Sequence, residues 1–355
     1  METNPAEQSE IFGVLECITP LYGFGSDVKE LKIGRRSRIQ TYEPDVLLAF
    51  KEAKEGHGFA AFLQLFPPDY TLHDQMPMIP ELKRLLDDDQ PRPSGLTATE
   101  HISIMLSLKC LDAIRTLRLF KSEKLRCGPT WVFRFDMPEK EDAEKPGGCK
   151  LEANFSVAGT IIESLTSRED SDKYTLNASE LPSLRSFQDS LGNLSEKLAK
   201  NPAIALAVDR HGSSNEIKSA DEIIDLFICL ESLMLEQEEG LSFRLAQRSA
   251  NLLGDSAESR RTIYKQLRDF YGLRSKVVHG SKLSNTQREK LKNIQPLREI
   301  ARRVVLAVLG ISAEMPLGPN FYAALDEMSL DEQKRKHLQS LAAAHLVVPL
   351  GTVTQ

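Results

Sequence analysis

Apolar residues are densest between positions 221 and 280, where three helical periods follow one another. The first, 221–236, is apolar on nearly every side: Ile223, Ile224, Leu226, Phe227, Ile228, Leu230, Leu233, Met234 and Leu235. A helix apolar all round is a buried one, and Glu231 lies within it, where an unpaired carboxylate is costly. The second, 241–253, carries Leu241, Leu245 and Leu252 on a stripe that also takes in Arg248, and Gly254 follows as a C-terminal stop. The third opens at Asp255 with Glu258 three residues on, a capping-box pattern. Its stripe is Ile263, Leu267, Phe270, Arg274, Val277 and Val278; His279 ends it and Gly280 breaks it. The spacing aims Glu231, Arg248 and Arg274 inward with a histidine beside them. Such a group is either a self-neutralising structural cluster or a site.

Around this centre the pattern predicts further helices. A packing helix is expected near 202–208, and the His211-Gly212-Ser213-Ser214 stretch after it reads as a loop. A long helix at 284–309 opens on a Ser284/Gln287 capping box, closes at Gly310 and is kinked or split at Pro296. Its polar face carries Arg288, Lys290, Lys292, Arg298, Arg302 and Arg303, all expected in solvent. The tail holds one more helix, at 330–346. Towards the N-terminus, β-rich pieces at 11–18, 31–39, 58–65, 130–135 and 150–157 are separated by turn signals and by loops at 87–95 and 139–148. Helical spacing recurs at 181–198 and after the cap candidates Thr97 and Thr99, with a stripe of Ile104, Leu108, Leu111, Ile114 and Leu117. The expected fold class is an α+β N-terminal domain (1–200), then an all-α helical bundle (201–312) and a helical C-terminal tail (313–355).

Composition adds little until charge is divided along the chain. A length of 355 residues suits two domains, and 41% hydrophobic with 27% charged residues is ordinary for a soluble protein. The five cysteines have no paired spacing and read as free thiols of a reducing cytoplasm rather than disulfides or zinc ligands. Residues 1–10 have no apolar signal core, and no run reaches membrane-spanning length, so a cytoplasmic protein without membrane contact is expected. His57, His73 and His101 lack metal-ligand spacing, and neither metal nor cofactor is expected. The net charge of −6 conceals an asymmetry: residues 244–303 hold fifteen Lys/Arg against five Asp/Glu, whereas 1–243 hold 27 against 41. A basic segment in an acidic chain points to a polyanionic partner, RNA in particular, although a solvated helical surface balanced by the other domain reads the same way.

Leu230-Glu231-Ser232-Leu233, Phe243-Arg244-Leu245-Ala246-Gln247-Arg248, Leu252-Leu253-Gly254, Tyr271-Gly272-Leu273-Arg274-Ser275 and Val277-Val278-His279-Gly280 together resemble the HEPN domain family in its ApeA-like branch. The resemblance covers residues 203–310 and rests on an Arg separated from a His by four residues; many nucleolytic members have Asn, His or Asp after the Arg, where this chain has Ser275. It implies a metal-independent endoribonuclease that leaves a 2′,3′-cyclic phosphate, a homodimer with its two motifs facing one another, and a prokaryotic toxin or anti-phage defence setting. Arg274 and His279 are then the catalytic candidates, with Glu231 orienting Arg274. Ser275, Lys276, Arg244, Arg248, Lys282, Arg302 and Arg303 are the candidate RNA contacts. The N-terminal domain would sense a phage trigger or answer to a regulatory partner. The alternative is a non-catalytic HEPN-like dimerisation module that binds RNA, a nucleotide or a partner protein.

Overall fold

The first unit is built on one long strand, β1 (Gly13–Tyr22), whose 10 residues are long enough to take partners along both edges. The strands that follow are β2 (Phe24–Gly25), β3 (Glu30–Lys32), β4 (Ser37–Thr41) and β5 (Tyr70–Met78). After α1 (Pro80–Asp87) and α2 (Ala98–Phe120) come β6 (Arg126–Cys127), β7 (Trp131–Asp136), β8 (Leu151–Asn154) and β9 (Tyr174–Thr175). One sheet runs β3-β4-β5-β1-β7-β8, with β6 also on β1, and every neighbouring pair is antiparallel. β2 and β9 form a separate parallel pair. This computed structural model describes residues 13–42, 63, 67–87, 97–136, 151–154, 173–192, 194–215, 219–236 and 240–344. The chain divides into Met1–Ile114 with Leu125–Leu181, and Arg115–Lys124 with Pro182–Gln355, so the tail belongs to the second unit.

The expected strand at 31–39 is a hairpin of two, β3 and β4, and the pieces at 11–18 and 130–135 are β1 and β7. Of the piece at 58–65 only Leu63 is described, and it is helical. The loop residues 88–95 and 139–148, Cys149, His57 and the chain after 344 lie outside the described residues. The four described cysteines are buried and free. β5 has no counterpart in the sequence pattern, because its buried positions include polar ones. His73 Nδ1 lies 2.8 Å from Glu16 Oε1 of β1, and its Nε2 lies 2.8 Å from the Thr71 hydroxyl. Arg38 of β4 donates to the same Glu16 oxygen at 3.0 Å. Burial pushes the Glu16 carboxyl up, but the His73 hydrogen bond and the His73 and Arg38 charges outweigh it, leaving Glu16 below the usual carboxylate value.

α2 is capped as expected by Thr97, which accepts from Glu100 N while the Glu100 carboxylate accepts from Thr97 N. Its buried face differs from the expected one: Leu106, Cys110, Ile114 and Leu117 are inside, and Ile104 and Leu108 are exposed. The segment has apolar residues on several sides, so more than one stripe can be drawn through it.

The second unit is helical: α3 (Leu181–Leu191), α4 (Leu194–Lys200), α5 (Pro202–Ser213), α6 (Ser219–Met234), α7 (Leu241–Leu253), α8 (Ala257–Val278), α9 (Asn285–Lys292), α10 (Gln295–Ile311), α11 (Pro319–Glu327) and α12 (Glu332–Ala344). Pro296 splits the expected long helix into α9 and α10, and the Ser284/Gln287 box opens α9. α10 is the axis of the bundle, packing on α5, α6, α7, α8 and α12. Its end lies one residue past Gly310, whose role is spacing: a Cβ there would meet the Ala342 carbonyl of α12 at 2.6 Å.

The solvated arginine face expected on this helix is instead its interior. Arg298, Arg302 and Arg303 are 2%, 5% and 4% exposed. Arg298 forms an ion pair with Glu222 of α6, which also takes Lys124 at 3.1 Å. Arg302 binds Glu299 and the end-of-helix carbonyls of Leu119 and Phe120, while Arg303 donates to the Leu253 carbonyl at 3.0 Å. Helix-terminal carbonyls accept readily from arginine, so these guanidiniums fasten helix ends inside the unit. The His211–Ser214 loop reading is also corrected: His211, Gly212 and Ser213 form the last turn of α5. His211 is fully enclosed, and burial with the charges of Arg302, Arg298 and Arg118 lowers it to about 3, so it is neutral.

Candidate active site

α6 and α8 pack side by side and bring the central motif residues to one place. Glu231 projects from α6 and Arg274 from α8, with Nη2 3.7 Å from Oε2 and both side chains about one-quarter exposed (23% and 24%). Tyr271, one turn before Arg274, completes the group: the Arg274 guanidinium lies 5.8 Å from its ring centroid, and Phe227 meets the ring edge-to-face at 5.2 Å between centroids. A helix places residues three and four apart on one face, which is why Phe227 accompanies Glu231 and Tyr271 accompanies Arg274. Burial pushes the Glu231 carboxyl above its usual value, and the neighbouring Arg274 charge and Tyr271 hydroxyl offset this only in part. Glu231 Oε1 and Arg274 Nε are both buried without a hydrogen-bond partner. The pair is thus formed as expected, but it is half-buried and incompletely satisfied.

His279 occupies the C-cap of α8 and is exposed. The helix end is a Schellman motif: Gly280 N donates to Val277 O at 3.1 Å, Ser281 N donates to Lys276 O at 2.9 Å, and Gly280 has φ +63°. Glycine takes this left-handed conformation without the penalty a side chain would add, so Gly280 fixes where the helix stops and where His279 is presented. The start of α8 is one residue later than expected, with Ser256 as cap and Ser259 completing the box. Five residues of helix rotate His279 by about 140° from Arg274 and move it about 7.5 Å along the axis. Arg274 faces α6, and His279 faces solvent.

The other candidates separate into two sets. Lys276 and Lys282 are exposed, and Ser275 and Arg244 are partly exposed, all within reach of a ligand. Arg248 is not: it is 4% exposed, binds both carboxylate oxygens of Asp326 at 2.7 and 2.8 Å, and lies 5.5 Å from the Tyr322 ring centroid. That bond holds the Asp326 carboxyl below its usual value. With Arg302 and Arg303 also inside, these three arginines are structural and are withdrawn as RNA contacts. Besides Lys276, three cations of α8 not among the expected RNA contacts face outward: Arg261, Lys265 and Arg268. Arg261, Lys265, Arg268 and Lys276 are exposed and spaced by four, three and eight residues, and His279 follows three residues later. This spacing sets all five on one face of α8; the signal was present in the sequence as a polar stripe opposite Ile263, Leu267 and Phe270.

No family model, curated protein or solved structure matches the chain. The chemistry of the site therefore stands on its own geometry. A planar guanidinium held by a carboxylate and an aromatic ring can bind two phosphate oxygens. An exposed imidazole at the end of a basic stripe can move protons on whatever anion the stripe attracts. Among the described residues no helix is long and apolar enough to cross a membrane.

Proposed function

We propose that the chain is a metal-independent endoribonuclease of the HEPN type that acts as a homodimer in a prokaryotic toxin or anti-phage setting. The observation that carries the reading is the join between two features of α8: the exposed basic stripe runs into His279, and Arg274 is held half-buried five residues before it. RNA supplies its own nucleophile. Its 2′-hydroxyl attacks the adjacent phosphorus, the 5′-oxygen leaves, and a 2′,3′-cyclic phosphate remains. The reaction needs a group to take the 2′-hydroxyl proton, a group to give one to the leaving oxygen, and positive charge on the phosphate. Histidine suits the proton transfers, and the Arg274 fork suits the charge that builds on the phosphate oxygens. Glu231 is a positioning residue: it touches Arg274 and fixes its direction.

The opposed directions of Arg274 and His279 favour a site shared between two copies, in which the second copy's histidine completes the proton transfers. The expected experiment is cleavage of total RNA in a chelator, with the new ends tested for cyclic phosphate. His279→Ala and Arg274→Lys should each abolish cleavage, the latter because lysine keeps the charge but loses the planar fork. A mixture of the two inactive proteins should recover part of the activity if the site is shared. Full cleavage by His279→Ala, or cleavage only with added divalent metal, would overturn the mechanism. RNA binding that falls steeply with salt but without cleavage would leave the non-catalytic binding module in its place.

A further inference from the structure

A second feature of α8 lies at its opposite end. α7 and α8 line an open cleft of about 460 Å³ there, with Gln247, Ala250 and Asn251 from α7 and Ala257, Arg260, Arg261 and Tyr264 from α8. This volume lies within the range of small-molecule sites. No acidic residue lines it. Arg260 Nη1 is buried with no hydrogen-bond partner. Among the described residues neither Arg260 nor Arg261 has a carboxylate within ion-pair distance, and among the same residues the Gln247 and Asn251 side chains find no hydrogen-bond partner. Tyr264 contributes a ring, steadied edge-on by the half-exposed Phe243 at 6.2 Å between centroids.

Buried donors are nearly always satisfied, so the unpartnered Arg260 Nη1 calls for an acceptor from outside, and the partly exposed Gln247 and Asn251 and the exposed Arg261 are open to the same ligand. Two cations select an anion, two free amides offer the donor and acceptor pairs that read a base edge, and an aromatic face accepts a stacked base. We infer that this cleft is a subsite for one unpaired nucleotide of single-stranded RNA. The base would lie on Tyr264 with its edge at Gln247 and Asn251, and its phosphate would lie at Arg260 and Arg261. The inference rests on the ribonuclease reading for the nature of the polymer. Tyr264 is ten residues from Arg274, about 15 Å along the helix. Lys265 and Arg268 are exposed between them, and beyond them Gly272 leaves the helix backbone open, with nothing within 4 Å of where its Cβ would be. A strand anchored in the cleft therefore has a basic path along α8 to His279. Double-stranded RNA could follow that path but could not insert a base.

The test is fluorescence anisotropy with a short labelled single-stranded RNA and with a fully paired duplex, in chelator. It uses the full chain carrying His279→Ala so that the probe is not cut. Tyr264→Leu, the double variant Gln247→Ala with Asn251→Ala, and Arg261→Ala should each weaken single-strand binding, about ten-fold or more for loss of the stack. Duplex binding should change under the first two by less than about two-fold. Tyr264→Phe keeps the ring and should bind as the parent does, which separates loss of stacking from loss of fold. Competition by the four homopolymers should show a base preference that the double amide variant flattens. Unchanged single-strand affinity in Tyr264→Leu and the amide variant, equal losses for duplex and single strand, or no binding of single strands by the parent would each overturn the subsite. The two readings fail separately. Cleavage by wild type with no effect of the cleft variants on affinity leaves the nuclease without this subsite. Binding that depends on the cleft, without cleavage by wild type, leaves the subsite without the nuclease.

Discussion

Replacing Glu231 by glutamine separates the two roles a carboxylate beside Arg274 can play. A fully buried pair broken on one side loses about 3–5 kcal/mol. Here the nearest atoms are 3.7 Å apart and both side chains are about one-quarter exposed. The gross attraction at that distance is about 4 kcal/mol at an effective dielectric of about 20. Most of it is offset, because Glu231 Oε1 is buried without a partner and burial outweighs Arg274 in setting the carboxyl above its usual value. The net effect of Glu231→Gln at neutral pH should therefore stay within about 1 kcal/mol. The sign of the pH dependence follows from the raised value. The folded state holds the Glu231 proton more tightly than the unfolded chain, so wild type loses stability as pH rises from the ordinary carboxylate value through the raised one. The glutamine variant lacks this loss, and its stability relative to wild type should rise across that window and then level off. Urea midpoints for both proteins at about pH 4 and about pH 7 measure it. Under the proposed function, RNA cleavage by the same variant should fall about a hundred-fold, because Arg274 loses the group that directs it. A variant destabilised by about 3 kcal/mol or more at neutral pH would show that the pair is a structural bond and that its half-buried geometry was misjudged.

Glu222→Leu leaves Arg298 and Lys124 without their shared carboxylate in the interior and should cost about 3–5 kcal/mol. Arg298→Met should cost less, because Glu222 keeps Lys124; thermal melts of the two variants check the order. Gly310→Ala places a methyl 2.6 Å from the Ala342 carbonyl and should destabilise by about 1–3 kcal/mol, read as a lower denaturation midpoint. In the first unit, Glu16 is held below the usual carboxylate value by His73 and Arg38 against the pull of burial. Its stabilisation is therefore present above the ordinary carboxylate value and is lost as pH falls through that value towards the lowered one. Glu16→Gln should flatten this acid limb in urea midpoints taken from neutral pH downward.

The helical unit was legible because its signals are local. Ser284 with Gln287, Pro296, and the apolar stripe of α8 each act within one or two turns, and the helices follow them to within a few residues. The one-residue shift in the start of α8 arose because Asp255 and Ser256 both make good caps, and Ser259 completes the box with the second. The sheet was less legible because its signals are not local. β5 reads as polar, but His73 is satisfied by Glu16, 57 residues away, Thr71 by His73 in turn, and Asp74 by Ser37 at 2.5 Å, 37 residues away. A single strand does not carry its neighbours' side chains, so its alternation could not be recognised from its own residues.

The same limit explains the arginines, and it changes where an RNA surface belongs. On a helix taken alone, Arg298, Arg302 and Arg303 are a charged face. Beyond Gln295 and Glu299 on the same helix, their acceptors are Glu222 and carbonyls of residues 122, 119, 120 and 253, which only the packed unit brings near. Arg248 meets Asp326 in the same way, 78 residues along the chain. Four of the fifteen cations in segment 244–303 are therefore buried and cannot displace counterions from a phosphate backbone. Under the proposed function, the salt dependence of RNA binding should accordingly respond to Arg261, Lys265, Arg268 and Lys276 on the open face of α8. Charge reversal at Arg302 or Arg303 would instead disrupt the core. Charge counted along the sequence picks out a helical region, but only burial distinguishes the cations that can meet a ligand from those that hold the bundle together.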